Sequence, residues 1–408
     1  MSEVKKCRIC NNDDLYKFLD FGSTPLANSF LRSDEETNES TYPLNVLFCS
    51  KCGLVQLGYI VPPEDMFRDY IYFSSTSDTM KMHFSKLADE VLAQFTDRDS
   101  LVVEVASNDG VLLKNMLGKD VRILGVEPAT NIADLANKAG VETLNEFFNF
   151  NTATKIVASK GKARVVLANN VFAHIPDLHD FVKGLDVLLE KDGITIIEVP
   201  YLVDMYEKRE FDTIYHEHLA YFSLKPLVHL FDRYLMEIFD VKRLPVHGGT
   251  IRLYVQRKNG RNKKSGEVEK LLKLEERMGL HAKPTFEKFA LDIEELRKEL
   301  TGLLKKLKAD GKRVVGYGAP AKGNTLLNYF QIGRDLLEYT VDKSPYKVGL
   351  FTPGTKLPVY DVLRILRDKP DYVLILAWNF SDEIIKQQSA YLKSGGHFIV
   401  PVPFPKVI

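Results

Sequence analysis

The densest run of groups able to move protons is Tyr215-His216-Glu217-His218, where two of the chain's nine histidines flank one carboxylate. A histidine beside a carboxylate makes a general base that works near neutral pH. The spacing is not that of a metalloprotease helix, in which two histidines four apart share one metal. In an extended segment His216 and His218 share one face, and Tyr215 and Glu217 the other; in a turn all four converge. His174 is a second candidate, in Asn169-Asn170-Val171-Phe172-Ala173-His174-Ile175-Pro176, where it follows an apolar strand pattern. Asn169 and Asn170 can present amides from the same loop. Tyr70 and Tyr72 offer phenols from an aromatic, hydroxyl-rich stretch further back.

A second constellation lies on two apolar runs, each finishing at an acid. Residues 101–105 carry Glu104 near their end and lead into Ala106-Ser107-Asn108-Asp109-Gly110, and residues 121–126 lead into Glu127. A strand–loop–helix–strand unit of this kind cradles an adenosine-type cofactor. Small loop residues (Ala106, Asn108, Gly110) let the backbone reach the ligand, and the second acid can take both ribose hydroxyls. No GxGxxG is present, so close approach to a pyrophosphate is not provided. The loop suits S-adenosylmethionine, which has no phosphates, and it resembles motif I of class I methyltransferases. Glu104, Ala106, Asn108, Gly110, Glu127, Asn169 and Asn170 are the expected cofactor contacts. The competing reading is an ordinary βαβ unit whose acids are solvated strand ends.

All four cysteines fall early, as Cys7-x-x-Cys10 and Cys49-x-x-Cys52. Two such knuckles bring four thiolates onto one tetrahedron, as zinc requires, and four protein ligands close the shell. The expected metal is therefore structural. Residues 11–48 are too many for a compact finger, so a small subdomain must fill the gap. Near the other end, Tyr317-Gly318-Ala319-Pro320-Ala321-Lys322-Gly323-Asn324 combines glycines, a lysine and a helix start. That is a good anion site. It lacks the order of a nucleotide-hydrolysing P-loop, so binding a diphosphate without breaking it is the natural use, with Tyr317, Lys322 and Asn324 as expected substrate contacts. Asp342, at the end of the next strand, parallels Glu127.

The elements that must position these groups are legible in outline. At 408 residues the chain exceeds one compact core. Fifty-five basic and 55 acidic residues cancel, which argues against a nucleic-acid footprint. No apolar run approaches the ~20 residues of a membrane span, and the N-terminal residues carry no apolar leader core, so a cytoplasmic protein without disulfides is expected. Strand patterns at 101–105, 122–126, 163–168 and 194–199 alternate with helical ones, which implies a parallel doubly wound sheet, with 235–244 and 250–256 as an antiparallel edge. Residues 267–308 read as mostly helical. A second alternating region follows, with strands at 313–316, 337–341, 372–376 and 397–400. The fold class is α/β. Residues 1–65 form a four-cysteine zinc module, 66–258 a cofactor-binding Rossmann-like domain, and 259–408 a smaller Rossmann-like domain.

Taken together, CRIC…CSKC, YFSSTS, EVASNDG…GVEP, NNVFAHIPD, YHEHLAYFS and GYGAPAKGNT resemble the S-adenosylmethionine-dependent nucleotide-sugar C-methyltransferases of branched deoxysugar biosynthesis. The resemblance spans the chain in that order. It implies methyl transfer to a sugar carbon, C-3, beside a C-4 ketone on a dTDP- or other NDP-linked deoxysugar. It further implies His218 as the base with Tyr215 and Glu217 assisting, His174 as donor to the C-4 oxygen or an alternative proton handler, and Tyr70 or Tyr72 near the sugar. The nucleotide would lie against Lys322 between the two Rossmann-like domains. Apart from the resemblance, a monomer is expected. A nicotinamide-dependent nucleotide-sugar oxidoreductase is disfavoured because neither loop has GxGxxG.

Overall fold

The computed structural model describes residues 2–33, 39–67 and 74–408. Tyr70 and Tyr72 lie outside the described residues. The N-terminal module is built on β1 (Leu15–Pro25), β2 (Thr41–Cys49) and β3 (Val55–Leu57), which pair antiparallel. After helix α1 (Asp78–Gln94) the central sheet begins. Its strands are β4 (Ser100–Val105), β5 (Val121–Val126), β6 (Thr143–Leu144), β7 (Ala163–Asn169) and β8 (Leu189–Pro200). A two-residue strand, β9 (Ala220–Tyr221), leaves the domain before β10 (Met236–Leu244) and β11 (Thr250–Arg257) complete the sheet.

The spatial order is β10-β11-β8-β7-β4-β5-β6, with β11 antiparallel to both neighbours and the rest of the order parallel. The near-continuous apolar runs of β4 and β7 follow from this, since strands covered on both faces carry few polar residues. Val102, Val103, Val165, Val166 and Leu167 are fully buried. The antiparallel edge is as the sequence predicts. One expectation needs correcting: the helix foreseen after the Ala106–Gly110 loop is a short 3-10 turn, Leu113–Met116, ended by Gly118 at φ +71°.

Contacts reach across the expected domains at several places. β9 pairs antiparallel with β3, so the four-stranded sheet of the cysteine module (order β9-β3-β2-β1) is completed from the middle of the chain. Leu31 bridges to Phe351 of the C-terminal region. The helix Gly266–Arg277 packs on β10, and its fully buried Glu275 accepts the Leu224 and Lys225 backbone N–H groups and the Tyr201 hydroxyl. That carboxylate sits at a helix start, where the orphan N–H groups and the helix dipole favour negative charge. The 27-residue helix Lys283–Ala309 starts with Pro284 in its first turn and lays Phe286 against Phe18 and Phe48.

The C-terminal sheet is six-stranded: β12 (Val314–Tyr317), β13 (Thr340–Asp342), β14 (Val359–Asp361), β15 (Tyr372–Ile375), β16 (His397–Val400) and β17 (Lys406–Val407), ordered β14-β13-β12-β15-β16-β17. All pairs but the last are parallel. β14 and β17 are not evident in the sequence, because strands this short carry no periodicity.

Candidate active site

The chain leaves β4 in an unusual conformation: Ala106, Asn108 and Gly110 have φ of +52°, +49° and +74°. Positive φ is costly for a residue with a Cβ and gathers at ligand sites. Glu127 holds this loop, its Oε2 accepting from the Asn108 N–H at 3.0 Å and its Oε1 from the Ala129 N–H at 2.9 Å. Burial pushes its carboxyl up to about 7. Beside it, Glu104 accepts from Asn169 Nδ2 at 3.4 Å, and burial raises its carboxyl well above the usual range, with Asp109 and Glu127 adding to the effect. Asn170, at φ +54°, donates its N–H to the Glu198 carbonyl. The backbone N–H of Ser74 reaches Asn108 Oδ1 at 2.9 Å.

Four buried polar atoms at these strand ends have no hydrogen-bond partner among the described residues: Glu104 Oε2, Ser107 Oγ, Asp109 Oδ1 and Asn169 Oδ1. Native proteins rarely leave such atoms unpaired without a ligand or water. A cluster dominated by carboxyl and amide oxygens fits a molecule that brings an ammonium group and ribose hydroxyls. Glu198, close by on β8, is different in kind. It is fully buried but matched by His83 Nε2 at 2.8 Å and Arg252 Nε at 2.6 Å, which with its other partners hold its carboxyl below the usual range despite burial.

The Tyr215–His218 stretch is a turn rather than a strand, but only Tyr215 and His218 of its four residues meet, where the turn reading expects all four. His218 Nδ1 lies 2.8 Å from the Thr213 carbonyl oxygen, which can only accept, so Nδ1 carries a proton. Nε2 is then free to receive the Tyr215 hydroxyl, 2.9 Å away. The carbonyl thus fixes the tautomer that turns a basic nitrogen towards the phenol. His174 meets His218 edge to face, ring centroids 4.9 Å apart. The Leu219 N–H donates to the Ala173 carbonyl at 2.7 Å and locks the two loops together. Burial lowers His174 to about 4, so it is neutral at physiological pH. His216 points elsewhere, towards the Tyr42 carbonyl at 3.2 Å, and burial lowers it to about 4 as well. Glu217 accepts from Asn28 Nδ2 at 2.6 Å and so ties the turn to the cysteine module. Thr213 and Asn28 carry no local sequence signal for these roles.

The four cysteine Sγ atoms lie within 4.8 Å of one another, with Cys7–Cys52 at 3.4 Å and Cys10–Cys49 at 3.5 Å. Zn–S bonds of about 2.3 Å on a tetrahedron put sulfurs about 3.8 Å apart. The thiolate set fits a closed zinc shell, with no position left for catalysis.

In the C-terminal loop the expected contacts separate. Lys322 lies at the domain boundary with its Nζ 4.7 Å from the Trp378 ring centre, and its charge is felt by buried Glu210 and Asp212. Trp378 Nε1 donates to Asp212 Oδ2 at 2.5 Å. Two expectations meet a correction here. Asn324 is fully buried, and its Nδ2 donates to the Ala27 carbonyl at 2.7 Å, so it braces the helix Ala321–Phe330 against the N-terminal module. Tyr317 packs inside the C-terminal core with its hydroxyl 3.4 Å from Gln388 Nε2. The alternation of side chains along β12 turns it into that core rather than out of the strand end.

A parallel sheet with one antiparallel strand next to its edge, and a positive-φ loop with buried acids at its strand ends, is the architecture of a class I S-adenosylmethionine-dependent methyltransferase. Three family models match the chain: "Putative zinc binding domain" over residues 7–67, "Methyltransferase domain" over 81–235 and "C-methyltransferase C-terminal domain" over 245–403. The chain is 37% identical to C-methyltransferase NovU of Streptomyces niveus, across 99% of this chain and 97% of that protein. Solved structures also align with part of it. The magnesium protoporphyrin IX methyltransferase of Synechocystis PCC 6803 does so with 10% identity over 44% of this chain and 79% of that one, TM-score 0.34. The 1,6-didemethyltoxoflavin-N1-methyltransferase of Burkholderia thailandensis does so with 18% identity over 45% and 81%, TM-score 0.33. The chain belongs to the C-methyltransferase family, and its cofactors are S-adenosylmethionine and zinc. Among the described residues no helix is long and apolar enough to cross a membrane.

Proposed function

We propose that the enzyme methylates C-3 of an NDP-linked 4-keto-deoxysugar, dTDP-linked by preference, through an enolate. The observation that carries this reading is the Thr213–His218–Tyr215 relay beside His174. An oxygen or nitrogen acceptor needs little more than a lone pair, whereas a carbon acceptor needs its proton removed first. A C–H beside a ketone is weakly acidic, and a fixed imidazole lone pair is the group that takes such a proton. In this reading the C-3 proton passes to His218 Nε2, directly or through the Tyr215 oxygen. The C–H electron pair becomes the C-3/C-4 double bond, and the ketone oxygen takes the negative charge. His174, as a neutral imidazole, donates to that oxygen, a role neutral histidines can fill. S-adenosylmethionine, held by Glu127, Glu104 and the Ala106–Gly110 loop, would supply the electrophilic methyl for the C-3 carbon, its sulfur keeping the S–CH3 electron pair and leaving as S-adenosylhomocysteine. Glu217 holds the turn through Asn28, and Lys322 meets the nucleotide diphosphate.

The test is His218→Ala. S-adenosylmethionine binding by calorimetry should stay near wild type while product formation falls by about a hundredfold to ten-thousandfold. Wild-type product should carry the new methyl on carbon by NMR. Retained turnover would remove His218 as base, and a methyl on oxygen or nitrogen would remove the enolate.

A further inference from the structure

The chain's single tryptophan, Trp378, faces the lysine that meets the nucleotide in the proposed function. A lysine carries its charge on a flexible four-carbon stem, so one that must meet a diphosphate needs something to hold it. The Lys322 Nζ lies 4.7 Å from the Trp378 ring centre, and Trp378 is buried. An ammonium over an indole face is attracted by the ring, the more so where water is displaced. The ring is itself held. Its Nε1 donates to Asp212 Oδ2 at 2.5 Å, and Asp212 is fully buried, with its Oδ1 unpartnered among the described residues. The backbone beside Lys322 is constrained as well. A Cβ on Gly323 would fall 2.7 Å from Leu376 Cβ, so the helix start is pressed onto the segment that leads to Trp378.

Asp212 belongs to the 3-10 turn Phe211–Thr213, which joins the two ends of the site. Phe211 stacks on Phe330, ring centroids 4.7 Å apart, at the end of the helix whose first turn carries Lys322. Thr213 accepts from His218 Nδ1. One three-residue turn therefore supports the histidine through its backbone and the tryptophan through a carboxylate. We infer that Trp378, fixed by Asp212, is a positioning residue that holds Lys322 for the nucleotide diphosphate. The inference rests on Lys322 as the diphosphate contact. Neither Trp378 nor Asp212 takes part in the transfer of the methyl group.

The experiment measures binding of dTDP to the full-length protein by calorimetry, with S-adenosylmethionine affinity as the check on folding. Lys322→Met should weaken dTDP by about tenfold to a hundredfold, the loss of one charged contact. Trp378→Leu should weaken it by about threefold to thirtyfold, the worth of a cation over an indole, and Asp212→Ala by about threefold to tenfold. Combined with Lys322→Met, Trp378→Leu should add nothing, because the tryptophan acts only through the lysine. Wild-type dTDP affinity in Lys322→Met would remove the diphosphate contact and the inference with it. Wild-type affinity in Trp378→Leu or Asp212→Ala, with Lys322→Met weakened, would overturn the inference alone. So would additive losses in the double variant, which would make Trp378 a packing residue. If Trp378→Leu does not fold, the emission of Trp378 in the wild-type protein decides. Saturating dTDP should shift it, since phosphate neutralises the ammonium over the ring, and an unchanged spectrum would contradict the inference.

Discussion

The two Rossmann-like sheets of this chain close their first loops with the same device and then diverge. In the central sheet Glu127 accepts the Asn108 and Ala129 N–H groups; in the C-terminal sheet Asp342 accepts the Ala319 N–H at 2.7 Å and the Ser344 N–H at 2.8 Å. Each acid stands at the end of the second strand and holds both the first loop and its own successor two residues on. The difference is the counter-charge. Lys347 donates to the Ala319 carbonyl at 2.8 Å and lies 3.9 Å from Asp342, so the C-terminal loop is neutralised from within. Among the described residues no basic side chain pairs with Glu127, and four unpaired polar atoms, Glu104 Oε2 among them, lie at these strand ends. One backbone plan thus leaves charge and acceptors open in the central sheet and matches them from within in the C-terminal one.

Exchanging the roles of the two acids tests that contrast most severely. Glu127→Ala should weaken S-adenosylmethionine binding by about tenfold to a hundredfold, the loss expected when a charged hydrogen-bond acceptor is removed. Asp342→Ala should leave that affinity unchanged in calorimetry. It should instead cost about 1.5–3 kcal/mol in a denaturant titration, since two backbone donors and Lys347 lose their acceptor. Weakened cofactor binding in Asp342→Ala would break the comparison.

A smaller effect comes with pH. Burial raises the Glu127 carboxyl from the ordinary 4.5 to about 7, so ionising it opposes folding of the cofactor-free protein. Stability is fully present below about 4.5 and is lost as pH rises through about 7, by no more than a few kcal/mol. Ribose hydroxyls donate better to the ionised acid, so cofactor affinity should move the other way, tightening about threefold to tenfold across the same upper window. Glu127→Gln should flatten both trends, in thermal melts and in calorimetry. The smallest change is Lys347→Met, which should cost about 1 kcal/mol of stability with methyl transfer intact.

What the sequence discloses follows the range of each interaction. The cysteine knuckles, the Glu104 and Glu127 strand ends and the two alternating regions are local patterns, and they are legible directly. The pairing of Tyr221 with Val55 is not, because no local signal announces a strand of two residues borrowed across the chain. The same holds for Thr213, whose carbonyl sets the His218 tautomer, and for Asn28 on Glu217. Asn324 and Tyr317 mislead for a related reason. A glycine- and lysine-bearing loop at a helix start reads as an anion site in either sheet, and only the three-dimensional packing turns these two side chains inward.

The most direct test of the enolate reading is solvent exchange at the sugar C-3 position. The enzyme is incubated in D2O with a dTDP-4-keto-6-deoxysugar, with and without S-adenosylmethionine, and the sugar is followed by proton NMR and mass. Deuterium entering at C-3, with a cofactor-dependent gain of one methyl on carbon, is the predicted result, and His218→Ala should abolish both. Methyl transfer to an oxygen or nitrogen of the sugar, with the C-3 proton untouched, would contradict it.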